Sequence, residues 1–102
     1  PMALGALDAL GPNRRTALIV GINASRDAAD LIKSGQMVAS GDYNGFIEGC
    51  VAAQLAIRLI RKQPVPKEAM LRTVVVDKSN AEPYTLPIEK RSCPTVDAAV
   101  AN

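Results

Sequence analysis

The chain has 102 residues, is 48% hydrophobic but only 3% aromatic, and sets 12 Lys and Arg against 10 Asp and Glu for a formal net charge of +2. That length holds one small domain, and so slight a charge, with Lys and Arg scattered and few aromatics between them, gives no footing to a nucleic-acid partner. There is no His, so the commonest metal ligand and general base is missing, and two Cys alone cannot close a structural zinc site.

No stretch reaches the ~18 apolar residues of a membrane span, and no signal-peptide pattern is visible. In chain order, Met2, Ala3, Ala6, Leu7 and Leu10 give an apolar face that predicts a helix over residues 1–10, stopped by Gly11-Pro12-Asn13. Pro1 suits the first helical position. No residue stands before it to cap the helix, and it is not Met, so the expectation is a piece of something longer. Residues 16–22 (TALIVGI) are short, apolar and β-branched, the pattern of a buried strand. Ser25 can cap the helix that follows, Asp27 suits its positive first turn, and Ala28, Leu31 and Ile32 repeat at helical spacing up to Gly35. Residues 36–40 predict a second strand.

A helical linker of this size is what two parallel strands require. Both carboxyl ends then lie on one edge of the sheet, where open α/β sheets bind ligands. Asn23 and the run Gly41-Asp42-Tyr43-Asn44 are brought to that edge by topology. Asn offers a donor and an acceptor and ionised Asp only acceptors, a combination suited to neighbouring hydroxyls. Local sequence alone favours a plainer role for Asn23, starting an Asx-type turn into the helix. Tyr43 and Phe46 could wall such a site, although Phe46 reads first as core at the start of a buried helix.

Past Gly45, residues 46–62 predict a helix that is apolar nearly all round, its polar stripe made of Gln54, Arg58, Arg61 and Lys62. A helix of this kind expects burial on most of its surface. Its cations crowd the last turns, where they complement the dipole, and Pro64 and Pro66 end it. Residues 71–76 (LRTVVV) predict a third strand. Residues 77–102 are mostly irregular, broken by Pro83, Pro87 and Pro94, with Thr95 placed to cap a short helix over 96–101.

The fold class is α/β: part of a doubly wound parallel sheet with flanking helices. Three buried strands with three or four helices do not cover both faces of a parallel sheet, and open edges invite pairing. The missing cover is expected from a second copy, making a homo-oligomer, or from the remainder of the same polypeptide. Asp8, Asp27, Asp30, Glu48, Asp77, Glu82 and Glu89 show no pairing at a common site and read as solvated or capping groups. The G-x-G-x-x-G pattern is absent, so no dinucleotide, and no other cofactor, is expected.

The order PMALGALDAL, ALIVGINAS, DAADLIKSGQMVAS, GDYNGFIEGC, IRLIRKQPVPKEAML and VVVDKSN resembles the C-terminal part of periplasmic sugar-binding proteins of the ribose-binding type. These are the receptors of ATP-driven (ABC) sugar importers. The resemblance covers residues 1 to about 80 and rests on the series of pieces rather than on any single one. It implies two doubly wound lobes joined by hinge strands, with a sugar held between them. Matched to that pattern, Pro1 falls just after an Asn-Asp pair that usually touches ligand. Asn23 falls where the family commonly has an Asp that bonds sugar hydroxyls. The contact at the end of the next strand falls on Tyr43, with Asp42 beside it.

Residues 1–42 then belong to the C-terminal lobe. Residues 43–80 make a hinge crossing at the bend flanked by Gly41 and Gly45, a helix of the other lobe and a return strand, and 81–102 form a tail. Most of each lobe is absent, so the chain by itself is not expected to close around a sugar.

The resemblance implies a receptor that binds a sugar or sugar alcohol and delivers it to an ABC transporter permease, not an enzyme, located in the periplasm. That oxidising compartment would let Cys50 and Cys93 bond, pinning the tail to the start of the third helix; the rival is two separate thiols, one buried and one exposed. Other readings are the effector-binding domain of a lactose-repressor-type transcription regulator, which sits in a reducing cytoplasm, and an inactive truncated remnant. A small Rossmann-like enzyme is disfavoured by the missing nucleotide motif and missing His.

Overall fold

The computed structural model describes residues 1–100. Four helices, α1 (Met2–Leu10), α2 (Arg26–Lys33), α3 (Gly45–Ile60) and α4 (Val96–Ala99), accompany three short strands, β1 (Val20–Ile22), β2 (Ala39–Asp42) and β3 (Val74–Val76). The strands lie in the order β1-β2-β3. β1 and β2 are parallel and joined by α2, as the helical linker requires. β3 is antiparallel to β2, with Asp42 opposite Val74, so the sheet is only partly parallel.

The reversal has a local cause. The chain leaves the sheet at the end of β2, makes an excursion through α3, and re-enters at the same edge. There the Asn44 Nδ2 donates to the Arg72 carbonyl and ties exit to return.

Capping chemistry sets the helix starts. Ser25 Oγ accepts from the Ala28 N–H at 3.3 Å, and Thr95 Oγ1 accepts from the Ala98 N–H at 3.3 Å, so both expected caps are made. α4 closes at Ala99: Val100, expected within the helix, is instead extended and bridges to Leu71, and Ala101 lies outside the described residues. The first strand is shorter than expected. Residues 11–16 wind into a 3-10 turn, closed where Thr16 Oγ1 donates to the Asn13 carbonyl at 2.7 Å. The second strand is also displaced: the Gln36 and Met37 N–H groups donate back to the Leu31 carbonyl in α2, and the strand begins at Ala39, with the Val38 N–H already donating to the Ile19 carbonyl.

One face of the sheet carries Gly21, Ser40 and Val76, aligned across the three strands. Against it sits the core of Leu7, Ala24, Ala28, Ile32, Met37, Val76 and Ala81. Both α1 and α2 therefore pack on this side. Gly21 makes the close approach possible: a Cβ there would stand 3.1 Å from Met37 Cε and 3.2 Å from Ala3 Cβ. The opposite face is bare, with Val20 66%, Ile22 71% and Val75 65% exposed. Three buried strands were expected, and the structure corrects this: no described element covers that side.

α3 departs in the same way from expectation. Only Cys50 and Val51 are buried on it, and Ile57, Leu59 and Ile60 face solvent. Its neighbour is α4, held by the tail rather than by the sheet. The molecule is accordingly elongated, 58 × 24 × 22 Å. The disulfide Cys50–Cys93 joins α3 to the tail with Cα atoms 5.6 Å apart. Gln54, one turn further along α3, reinforces it: Nε2 donates to the Pro94 carbonyl at 2.8 Å and Oε1 accepts from the Val96 N–H at 3.2 Å.

Candidate functional site

Asn23 and Asp42 follow or end the two parallel strands, and both line one cleft of about 610 Å³ together with Tyr43. The backbone is specialised here. Asn23 has φ +87° and Ala24 φ +41°, both in the left-handed region, where a side chain other than that of Gly meets strain. Two hydrogen bonds hold them there. The Asn23 N–H donates to the Gly41 carbonyl at 2.7 Å, extending the β1–β2 ladder, and the Ala24 N–H donates to the buried Ser40 Oγ at 3.0 Å. The Asn23 side chain itself is exposed in the cleft and free to meet a ligand.

Asp42 is nearly buried, at 9% exposure. Its Oδ1 accepts from the Asn44 N–H at 2.8 Å, an Asx turn that bends the chain out of β2 and starts α3 at a left-handed Asn44. Tyr43 is 55% exposed and its ring lies over Gly45, whose Cβ, if present, would meet Tyr43 Cε2 at 3.6 Å. Phe46 is half-buried and lines the cleft; it lies outside the core cluster, and α3 is not the buried helix that the core reading assumed.

The tail brings residues that the sequence did not point to. A 3-10 turn, Glu82–Thr85, packs on α2 around fully buried Ala81, and Lys33 pairs with Glu82. This seats Tyr84 beside Asp42. Burial first, and then the negative charge of Asp42, raise the Tyr84 hydroxyl above its ordinary pKa of 10.0, with Arg91 opposing.

Arg91 lies between two rings, its guanidinium carbon 6.0 Å from the Phe46 centroid and 5.7 Å from that of Tyr84. Its Nε donates to the Leu86 carbonyl at 3.1 Å and one Nη to the Tyr84 carbonyl at 2.8 Å. Neither residue falls inside the stretch with a family resemblance. The one clue was Cys93, two positions from Arg91, whose bond to Cys50 carries this part of the tail to the start of α3.

Among the described residues no group of three or more His, Cys, Asp or Glu could hold a metal ion. None of the described helices is long and apolar enough to cross a membrane. The cleft combines the polar groups of Asn23 and Asp42 with aromatic walls from Tyr43, Phe46 and Tyr84, and charged Arg26, Glu89 and Arg91 also line it.

No family model matches the chain. It is 30% identical over 82 residues to a xylitol-binding protein of Mycolicibacterium smegmatis, covering 79% of this chain and 24% of that protein. Among solved structures it is similar to an ABC transporter periplasmic solute-binding protein of Actinobacillus succinogenes, which holds bound D-allose. That match has a TM-score of 0.71 and 28% identity, and covers 81% of this chain and 30% of the other. Both relatives are binding proteins, not enzymes. The chain spans 24% and 30% of their respective lengths.

Proposed function

We propose, for a chain that belongs with the periplasmic solute-binding proteins of ABC transporters, that it supplies one side of a sugar or sugar-alcohol site. In this reading Asn23, Asp42 and Tyr43 face the ligand. The observation that carries it is the meeting of Asn23 and Asp42 in one cleft at the carboxyl ends of two parallel strands. Donor and acceptor from Asn23 and acceptors from Asp42 match vicinal hydroxyls, and the Tyr43 ring offers a face for the carbons between them. The ligand classes named for the two relatives, a pentitol and an aldohexose, fall within that chemistry.

The remaining parts of the reading follow from the same family. Residues 1–42 lie in one lobe, 43–80 cross the hinge out and back, and 81–102 form a tail. The filled receptor delivers its ligand to an ABC transporter permease, outside the cytoplasm. The Cys50–Cys93 bond supports that compartment against a cytoplasmic regulator. The bare sheet face of Val20, Ile22 and Val75 is covered in the working protein by the remainder of the polypeptide or by a second copy.

Amide NMR of the ¹⁵N-labelled chain, titrated into the millimolar range with xylitol and with D-allose, tests the site. Shifts centred on Asn23, Ala24, Asp42 and Tyr43 are expected. Saturation of neither, or shifts centred elsewhere, defeats the assignment. Light scattering at micromolar concentration tests the second copy: a monodisperse monomer leaves only the remainder of the polypeptide as cover.

A further inference from the structure

We infer that Arg91, from the tail, is a ligand-contacting and specificity-determining residue of this same cleft, which it completes for an uncharged vicinal diol. The inference rests on the sugar-site reading and deepens it. Four observations carry it.

Arg91 lines the same cleft as Asn23 and Asp42, although it is 49 positions beyond Asp42 in the chain. It is held rigidly: two aromatic rings flank the guanidinium, two backbone carbonyls accept from it, and the disulfide at Cys93 anchors the chain two residues on. These contacts use two of its five N–H donors, and no other described residue accepts from the rest. Arg91 and Asp42 also form no ion pair, so a donor fork and an acceptor share one cleft without neutralising each other directly.

That arrangement is matched to neighbouring hydroxyls. One hydroxyl donates to the Asp42 carboxylate, which has acceptor capacity beyond its bond from the Asn44 N–H, while the next accepts from an N–H of Arg91 that its backbone contacts leave over. A ligand carboxylate would also suit Arg91, but the two cations of the cleft, Arg26 and Arg91, are matched by Asp42 and Glu89, so the cleft offers an anion no net positive charge. The rigid seat matters for recognition, since a guanidinium already ordered in the empty protein surrenders little conformational freedom on binding.

The test uses the intact, oxidised chain and reads Arg91 itself. Its side-chain Nε–H resonance is followed in ¹H–¹⁵N spectra while xylitol, and separately D-xylonate, is added; amide shifts at Asn23 and Asp42 are recorded in the same titrations. The inference expects the Arg91 signal to move with xylitol along the same curve as Asn23 and Asp42, with D-xylonate binding more weakly. Arg91→Gln should weaken xylitol about tenfold, the size of a lost hydrogen bond from a charged group, and Arg91→Lys should recover only part of it.

Shifts at Asn23 and Asp42 with a silent Arg91 would overturn the role of Arg91 and leave the sugar site standing. Silence at all three would overturn both. D-xylonate binding more tightly than xylitol would overturn the uncharged-diol assignment. Because the wild-type Arg91 signal is read directly, any loosening of the tail by Arg91→Gln does not decide the outcome.

Discussion

Breaking the Cys50–Cys93 bond is the perturbation whose size follows most directly from the fold. The bond spans a sequence separation of 43. Closing a loop of that length in the unfolded chain removes entropy equivalent to about 4 kcal/mol at room temperature in the chain-entropy model. A domain of this size has a total stability of roughly 5–15 kcal/mol, so the reduced chain should be close to marginal. Little stands ready to compensate. Beyond the bond, α4 is fixed to α3 by buried Val96 and by the two hydrogen bonds of Gln54, each contributing on the order of 1 kcal/mol.

Urea unfolding followed by far-UV circular dichroism, with and without reductant, measures the difference. With a slope of about 1.5 kcal/mol per molar, the midpoint should fall by roughly 2–3 M on reduction. The Cys50→Ser, Cys93→Ser double variant should behave like the reduced protein, which separates loss of the bond from the chemistry of free thiols. Coincident midpoints for oxidised and reduced chains would refute the reasoning, because the unfolded ensemble would then not be constrained by the 43-residue closure.

Three further outcomes are expected. Asn23→Gly suits the φ of +87° and should leave thermal stability within about 0.5 kcal/mol while abolishing the ligand-induced shifts; Asn23→Val, forced into the same region, should lose about 1–2 kcal/mol. Gly21→Val drives a branched side chain into the 3.1–3.2 Å gap before Met37 and Ala3 and should lower stability by about 1–3 kcal/mol in a thermal melt; an unchanged melt would mean that α1 is not seated on β1. Tyr84 has its pKa raised above 10.0, chiefly by burial. The unfolded chain therefore gives up this proton first, and stability that is fully present below about pH 10 is lost as the pH rises through the folded-state value. Tyr84→Phe should flatten that alkaline decline in urea midpoints taken between neutral and strongly alkaline pH; identical profiles would show that Tyr84 is as solvated folded as unfolded.

Local chemistry made much of the element order legible. Ser25 and Thr95 were readable as caps because a side-chain oxygen three residues before an amide acts over a distance the sequence itself specifies. The β1–α2–β2 crossover followed from the length and periodicity of the linker, and it was enough to put Asn23 and Asp42 on one edge. The strand boundaries slipped because a 3-10 turn over residues 11–16 competed for Thr16, whose hydroxyl prefers a nearby carbonyl to a strand.

Burial was the least legible quantity. Val20, Ile22 and Val75 are apolar as strand residues should be, yet an apolar side chain states a preference for cover without naming what supplies it, and here nothing in the described chain does. Ile57, Leu59 and Ile60 on α3 repeat the point.

By itself, then, the sequence determined what depends on neighbours in the chain: the helix starts, the parallel pair, the pairing-competent cysteines and the two polar residues at a common edge. Tertiary structure alone decided the antiparallel return of β3, the crowding of both α1 and α2 onto one sheet face, and the delivery of Tyr84 and Arg91 to the cleft. The reason is that these depend on contacts between segments distant in the chain, from the 18 positions separating Ala3 and Gly21 to the 49 separating Asp42 and Arg91. Such contacts are set by packing at Gly21 and by where the α3 excursion and the Cys50–Cys93 tether bring the chain back, and the local sequence does not specify those end points.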